Sequence, residues 1–145
     1  MGAAFYPLLD PPIDDYDPST EMSGKALSQA SDLLEQWSKE LGVPDIWAFY
    51  SESHAESFAT IGEEMPEDME EVEIEWSDPQ DGIRSIDAWL QRLGTEKAKT
   101  IEFRDKDGNR ESVDAERLKQ DLLAFKDVLL EAQEHGSKFR LRIDI

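Results

Sequence analysis

Side chains with the potential for chemistry occur at two places in this chain of 145 residues. The first is His54, which lies between Glu52 and Glu56 and close to aromatic residues. Imidazole is the usual general base near neutral pH, but no nucleophile and orienting group accompany His54 in the sequence. We therefore interpret His54 as a surface or structural residue, with a general base or metal ligand as the alternative.

The second place is an acidic turn that has part of the ligand pattern of a calcium-binding EF-hand loop. Four oxygen-bearing residues occupy the loop positions numbered one, three, five and twelve: Asp105, Asp107, Asn109 and Glu116. Arg110 replaces the turn glycine, and the preceding residues are strand-like rather than helical. Because hairpin turns favour the same residue types, we predict a plain turn. The four residues remain weak metal candidates, and no cofactor is expected.

Charge is distributed unevenly along the chain. Residues 40–83 contain fourteen acidic residues and no Lys or Arg, whereas residues 84–145 contain thirteen of each sign. The formal net charge of −19 therefore lies in the first 83 residues. A field of one sign repels nucleic acid and anionic lipid and attracts cations. We predict no nucleic-acid or membrane partner, and a basic protein as the partner that fits.

The acidic residues are densest just before Trp76. Aromatic side chains with a charged rim are common anchors of protein interfaces. A solvated acidic surface, with the tryptophans in the core, is the alternative. The predicted binding surface has ten residues: Trp47, Glu63, Glu64, Glu67, Asp68, Glu70, Glu71, Glu73, Glu75 and Trp76.

Composition excludes several classes of site. The chain has no Cys, which excludes disulfides, thiolate zinc sites and cysteine nucleophiles and is compatible with the reducing cytoplasm. No apolar run approaches the length of a membrane span, and the N-terminal residues do not resemble a signal peptide. Phosphate-loop, dinucleotide, nucleophile-elbow and zinc-protease motifs are absent. We predict no catalytic residues and a cytoplasmic location.

Apolar residues at spacings of three and four predict three amphipathic helices. They are expected at about residues 24–41, between Asp78 and Gly94, and between Asp114 and Gly136. Ser23 is the expected N-cap of the first helix, and Trp37 and Leu41 are expected on its apolar face.

Strands are predicted at residues 3–9, 45–50, 72–76 and 139–145, with a hairpin over residues 100–113. In the last strand, Arg140 and Arg142 are expected on the polar face of a half-buried strand. The mixed order of elements predicts an α+β fold, with a mostly antiparallel sheet of four to six strands and three main helices packed on it. Length predicts a single domain over residues 1–145, with acidic irregular segments at 10–22 and 62–73.

Three sequence blocks resemble those of a family of small bacterial proteins. The blocks are MGAAFYPLLD from Met1, SGKAL from Ser23 and WSDPQDG from Trp76. The resemblance implies a bacterial intracellular protein, and it carries no known activity or site residues. The acidic insert at 62–73 and the hairpin near Asp107 are longer than in that pattern.

Two functional hypotheses follow from the sequence. The first is a non-enzymatic acidic protein-binding module, for example an inhibitor or immunity protein for a basic partner. The alternative is a small metal-dependent enzyme or metal binder that uses His54 and carboxylates. The absence of a catalytic motif favours the first hypothesis.

Overall fold

A computed structural model describes residues 3–64, 66–70 and 73–144. The strands are β1 (Ala4–Asp10), β2 (Thr100–Arg104), β3 (Arg110–Asp114) and β4 (Lys138–Asp144). The α-helices are α1 (Lys25–Gln29), α2 (Ser31–Leu41), α3 (His54–Thr60), α4 (Pro79–Leu93) and α5 (Ala115–Glu134). Two short 3₁₀ helices cover Pro18–Thr20 and Ile46–Phe49. In this part of the chain, no helix combines the length and apolarity needed to span a bilayer.

The first and last strands pair with each other. β1 and β4 are antiparallel over their full lengths, with Ala4 opposite Asp144. Phe139 of β4 packs edge-on against Phe125 of α5, with 5.8 Å between the ring centroids. Since consecutive side chains of a strand point to opposite faces, Arg140 lies on the face away from α5. The β1–β4 ribbon therefore has helices α4 and α5 on one face and other elements on the second.

The predicted hairpin at residues 100–113 is confirmed by the pairing of β2 with β3. Ile101 and Val113 are buried in the common core. The turn of the hairpin contacts α2, because the Lys106 backbone N–H donates to the Asp32 carboxylate at 3.1 Å. The hairpin therefore packs against the helical part of the molecule rather than extending the β1–β4 ribbon.

The prediction of one sheet with four to six strands is wrong for the described residues, which form two separate two-stranded antiparallel sheets. The outer edge of β4 has only isolated bridges, from Tyr50 and Ser77. Val72 of the expected strand at 72–76 lies outside the described residues, and residues 73–76 form no strand. The coarser prediction of a mixed α and β fold is confirmed.

Residues 45–50 form a 3₁₀ helix rather than the predicted strand. Asp45 is its N-cap and accepts a hydrogen bond from the Ala48 N–H at 3.0 Å. Ile46 and Phe49 are both buried, and their spacing of three matches the period of a 3₁₀ helix. A spacing of three, rather than aromatic content, was the informative signal in this segment.

The helix predicted at 24–41 is divided at Ala30 into α1 and α2. Its N-cap is Gly24 rather than Ser23. Gly24 has φ of 73°, and a Cβ there would lie 1.9 Å from the carbonyl oxygen of Phe5. Only glycine therefore fits this close approach. Trp37 is buried as predicted, whereas Leu41, at the end of α2, is 41% exposed.

The apolar faces predicted for the later helices are confirmed. In α5, five side chains are fully buried: Leu118, Leu122, Phe125, Leu129 and Ala132. In α4, three residues of the predicted face are buried and Leu90 is half-buried: the three are Ile83, Ile86 and Leu93. Trp89, beside this face, is also fully buried, and its indole N–H donates to the Ser38 hydroxyl at 2.8 Å. The buried apolar side chains of helices and strands form one contiguous cluster.

Candidate protein-binding surface

Behind the predicted binding surface lies a group of buried charges that the sequence analysis did not anticipate. Arg140 is only 6% exposed, and its guanidinium binds the Glu56 carboxylate in a bidentate pair at 2.8 and 2.9 Å. The same guanidinium donates to the Ser51 carbonyl at 2.9 Å. A bidentate pair fixes direction as well as distance, so β4 holds α3 in a defined orientation.

The neighbouring Arg142 extends this group. Its guanidinium lies 3.2 Å from Glu52 and 3.3 Å from Glu56. The Tyr50 hydroxyl donates to the other oxygen of Glu52. We call Glu52, Glu56, Arg140 and Arg142 the Arg–Glu cluster. With two charges of each sign, the cluster is formally neutral.

Contacts within the cluster shift the pKa of one member, Glu56, and of one neighbour, Tyr50. The hydrogen bond from Arg140 lowers the pKa of Glu56 to about 2, against the opposing effect of burial. Burial and the hydrogen bond to Glu52 raise the pKa of Tyr50 to about 12. Glu56 is therefore ionised and Tyr50 is neutral across the physiological range of pH.

Glu56 also forms the start of α3. The Ser53 hydroxyl accepts from the Glu56 N–H, and the Glu56 carboxylate accepts from the Ser53 N–H, each at 3.1 Å. This reciprocal arrangement is a capping box. The pattern Ser53-His-Ala-Glu56 is visible in the sequence and is the available signal for the start of α3.

The expectation that Arg140 and Arg142 lie on a solvated polar face is wrong. Residues 51–56 cover that face of β4, and the indole of Trp76 stacks over the Arg140 guanidinium with 5.2 Å to the ring centroid. The alternation of side chains in β4 correctly placed Arg140 and Arg142 on the face of the ribbon opposite to Phe139. It did not indicate that other residues of the chain cover this face.

The acidic residues that follow α3 have a different environment. We call residues 63–75, as far as they are described, the acidic segment. Within it, no described carboxylate is in an ion pair with a described cationic side chain. Seven of the predicted carboxylates are exposed: Glu63, Glu64, Glu67, Asp68, Glu70, Glu73 and Glu75. Glu71 was also predicted and lies outside the described residues.

Backbone contacts hold the acidic segment at its two ends. After α3, the Glu63 N–H donates to the Phe58 carbonyl at 2.9 Å. His54 Nδ1 donates to the Glu70 carbonyl at 2.8 Å, because a carbonyl oxygen can only accept. The Glu75 N–H donates to the Ser51 hydroxyl at 2.9 Å. His54 therefore has a structural contact to the segment.

The two tryptophans proposed as anchors differ from each other. Trp47 is 38% exposed and packs edge-on against Phe5 and Tyr50, at centroid distances of 5.3 and 5.6 Å. The Lys106 ammonium lies 5.9 Å from its ring centroid. Trp76 is half-buried over Arg140. The structure thus places Trp47 beside the hairpin turn and Trp76 over the Arg–Glu cluster.

Two exposed apolar side chains were missed by sequence reasoning. Ile61, at the end of α3, is 65% exposed, and Met69 is exposed within the acidic segment itself. Gly62 marks the end of α3 in the sequence. This was the signal that Ile61, at the C-cap of the helix, would be exposed.

In the acidic turn at residues 105–109, Asp105 uses a carboxylate oxygen to form the turn. One oxygen of Asp105 accepts from the backbone N–H groups of Asp107 and Asn109, both at 2.9 Å. Glu116 lies in the first turn of α5, 3.5 Å from the amide of Gln120. Over the described ranges, no group of three acidic or histidine side chains is arranged to hold a metal ion.

No protein-family model, curated protein or solved structure matches this chain.

Proposed function

We propose that this protein is a non-enzymatic binding protein whose acidic segment takes a cationic protein partner. An inhibitor or immunity protein for a basic toxin or nuclease is the class that fits. The observation that carries the proposal is the row of seven exposed carboxylates without an ion pair to any described residue. Their backbone is held by Phe58, His54 and Ser51.

Electrostatics support a cationic partner for this segment. The arginines that lie behind it, Arg140 and Arg142, are matched by Glu56 and Glu52, so the Arg–Glu cluster adds no net charge. Arg140 and Arg142 therefore do not neutralise the negative field of the acidic segment. Complementary fields of this kind raise the rate of encounter between proteins and orient the partners.

Apolar contacts would accompany the charges. The centre of a protein interface is usually apolar, and its rim is polar. Ile61 and Met69 are exposed next to the carboxylates, and Trp47 keeps part of its ring accessible. We propose that Ile61 and Met69 contribute more than Trp76, because the ring of Trp76 is already stacked on Arg140.

The proposal is tested by capture with matched charge variants as bait. One variant neutralises three carboxylates of the acidic segment: Glu64→Gln, Glu67→Gln and Glu73→Gln. The control neutralises three exposed carboxylates of the hairpin: Glu102→Gln, Asp107→Asn and Glu111→Gln. Both variants lose the same net charge. We expect a basic protein to be captured by the wild type and the control at low salt, and to be lost with the segment variant.

Salt provides the second arm of this experiment. Because screening weakens exposed charge pairs, the captured basic protein should be released as ionic strength rises. Equal capture by the two triple variants would refute the segment as the binding site. Capture of acidic proteins alone, or capture that is insensitive to salt, would refute a charge-based interface altogether.

A further inference from the structure

Helix α5 carries exposed leucines on its outer side, among the residues that the structure describes. The helix has 20 residues, and its buried side packs on α4 and β4. On the outer side, Leu123 and Leu130 are 43% and 44% exposed. A separation of seven residues is close to two helical turns, so the two leucines lie on one line along the helix.

The charges around these leucines are arranged about the midpoint of the helix. The midpoint of the helix segment from Lys119 to Glu134 lies between positions 126 and 127. Leu123 and Leu130 are placed symmetrically about this midpoint, and Lys119 and Glu134 form a second symmetric pair. Lys119 and Glu134 are both exposed and have no ion-pair partner among the described residues. If two copies of α5 pack antiparallel, Leu123 of each copy meets Leu130 of the other, and Lys119 of each copy meets Glu134 of the other. Each contact therefore occurs twice in the dimer. Such matching of one surface with itself is what a two-fold interface requires.

We propose that this protein forms a symmetric dimer through antiparallel packing of its α5 helices. A groove of about 460 Å³ opens between α4 and α5 beside Leu123, with Leu90 and Leu93 in its walls. Leu130 of the second copy would cover the rim of this groove. The occupant is a second copy because Lys119 and Glu134, which flank the two leucines, are complementary to each other when one helix is reversed.

The densest acidic region of the chain lies away from this face. Residues 84–145 are formally neutral as a whole, although α5 itself has five acidic and three basic residues, and Tyr16 of the acidic residues 10–22 lies near its Asp127 and Glu131. In addition, α5 packs on the Phe139 face of the β1–β4 ribbon, and α3 packs on the opposite, Arg140 face. The α5 face and the acidic segment are therefore on opposite sides of the ribbon, which limits repulsion between two copies. This inference does not depend on the proposed function.

Sedimentation over a wide range of concentration, at physiological salt, tests the proposal. We expect the mass to rise from the 16.5 kDa monomer to twice that value. Lys119→Glu and Glu134→Lys should each raise the dimer dissociation constant about tenfold, because two symmetry-related attractions become repulsions. The double variant with both reversals should restore the affinity of the wild type. A role in folding alone would show no such restoration.

The two reversals are compatible with the helix itself. Glutamate near the start of α5 and lysine in its last turn are both favoured by the helix dipole, so loss of fold is not expected to mimic loss of the dimer. Circular dichroism of each variant checks this.

Leucine variants give an independent readout. Leu123→Gln or Leu130→Gln should weaken the dimer. Leu41→Gln, which changes a leucine of similar exposure at the end of α2, should not. A monomer at every concentration would overturn the proposal. So would a dimer that resists the α5 variants or is weakened by the Leu41 variant.

Discussion

The Arg–Glu cluster and the acidic segment are neighbours with similar composition and opposite environments. Glu52 and Glu56 each meet an arginine of β4, whereas no described carboxylate of residues 63–75 meets a described cation. Paired carboxylates position α3 on the ribbon. The carboxylates of the acidic segment are exposed to solvent instead. Of these two groups of carboxylates, only the one that meets the arginines of β4 contributes to the fold.

The largest effect is expected from breaking the cluster. Arg140→Leu leaves Glu56 without its bidentate partner, and removal of one member of a buried pair costs about 3–5 kcal/mol. We expect the free energy of unfolding to fall by about 3 kcal/mol, because Glu56 keeps some access to water. Denaturation in urea measures this.

Lys138→Ala is the matched control, because Lys138 is an exposed cation on the same strand. Its effect should stay within about 0.5 kcal/mol, the usual range for a surface site. If Arg140→Leu were no more harmful than Lys138→Ala, the cluster would have no role in stability.

The next effect concerns pH. Because the folded-state pKa of Glu56 is about 2, below the reference value of 4.5, its contribution to stability is full above pH 4.5. The contribution is lost as the pH falls towards about 2. Glu56→Gln should therefore flatten the dependence of stability on pH in this window. Urea denaturation at a series of pH values measures the slope.

Glu73→Gln provides the comparison for this slope, since Glu73 is exposed in the acidic segment. We expect it to leave the slope close to that of the wild type. A wild-type slope in the Glu56 variant would place the acid sensitivity elsewhere in the molecule.

The smallest effect on stability is expected in the acidic segment. The variant with Glu64, Glu67 and Glu73 changed to Gln should differ from the wild type by less than about 0.5 kcal/mol. Any change should be an increase in stability, because neutralising three carboxylates reduces the repulsion between like charges in the segment. Thermal unfolding at low salt measures it, and a clear loss would mean that these carboxylates have a structural role.

The parts of the fold that followed from sequence are those with a strong local period. In α5, Leu118, Leu122, Phe125 and Leu129 are buried as their spacing predicts. The β2–β3 hairpin followed from its turn residues, β4 followed from alternation, and β1 followed from a short run ended by Asp10-Pro11-Pro12. Each of these signals is contained within a few neighbouring residues, so no knowledge of the tertiary structure was needed.

The parts that did not follow depend on distant residues. The burial of Arg140 and partial burial of Arg142 require residues 51–56 to pack on β4, more than 80 positions away along the chain. Separation of the two sheets depends on how the hairpin docks on α2. For the candidate site, composition indicated the acidic segment, but not the exposed Ile61 and Met69 beside it.

The register of β1 on β4 has a practical consequence. Because Ala4 lies opposite Asp144, a short flexible linker would suffice to join these positions. New ends could then be opened in the exposed turn around Gly108, where few buried contacts are lost. A circularly permuted chain of this kind should keep the same strand pairing while moving any fused reporter from the β1–β4 ribbon to the hairpin.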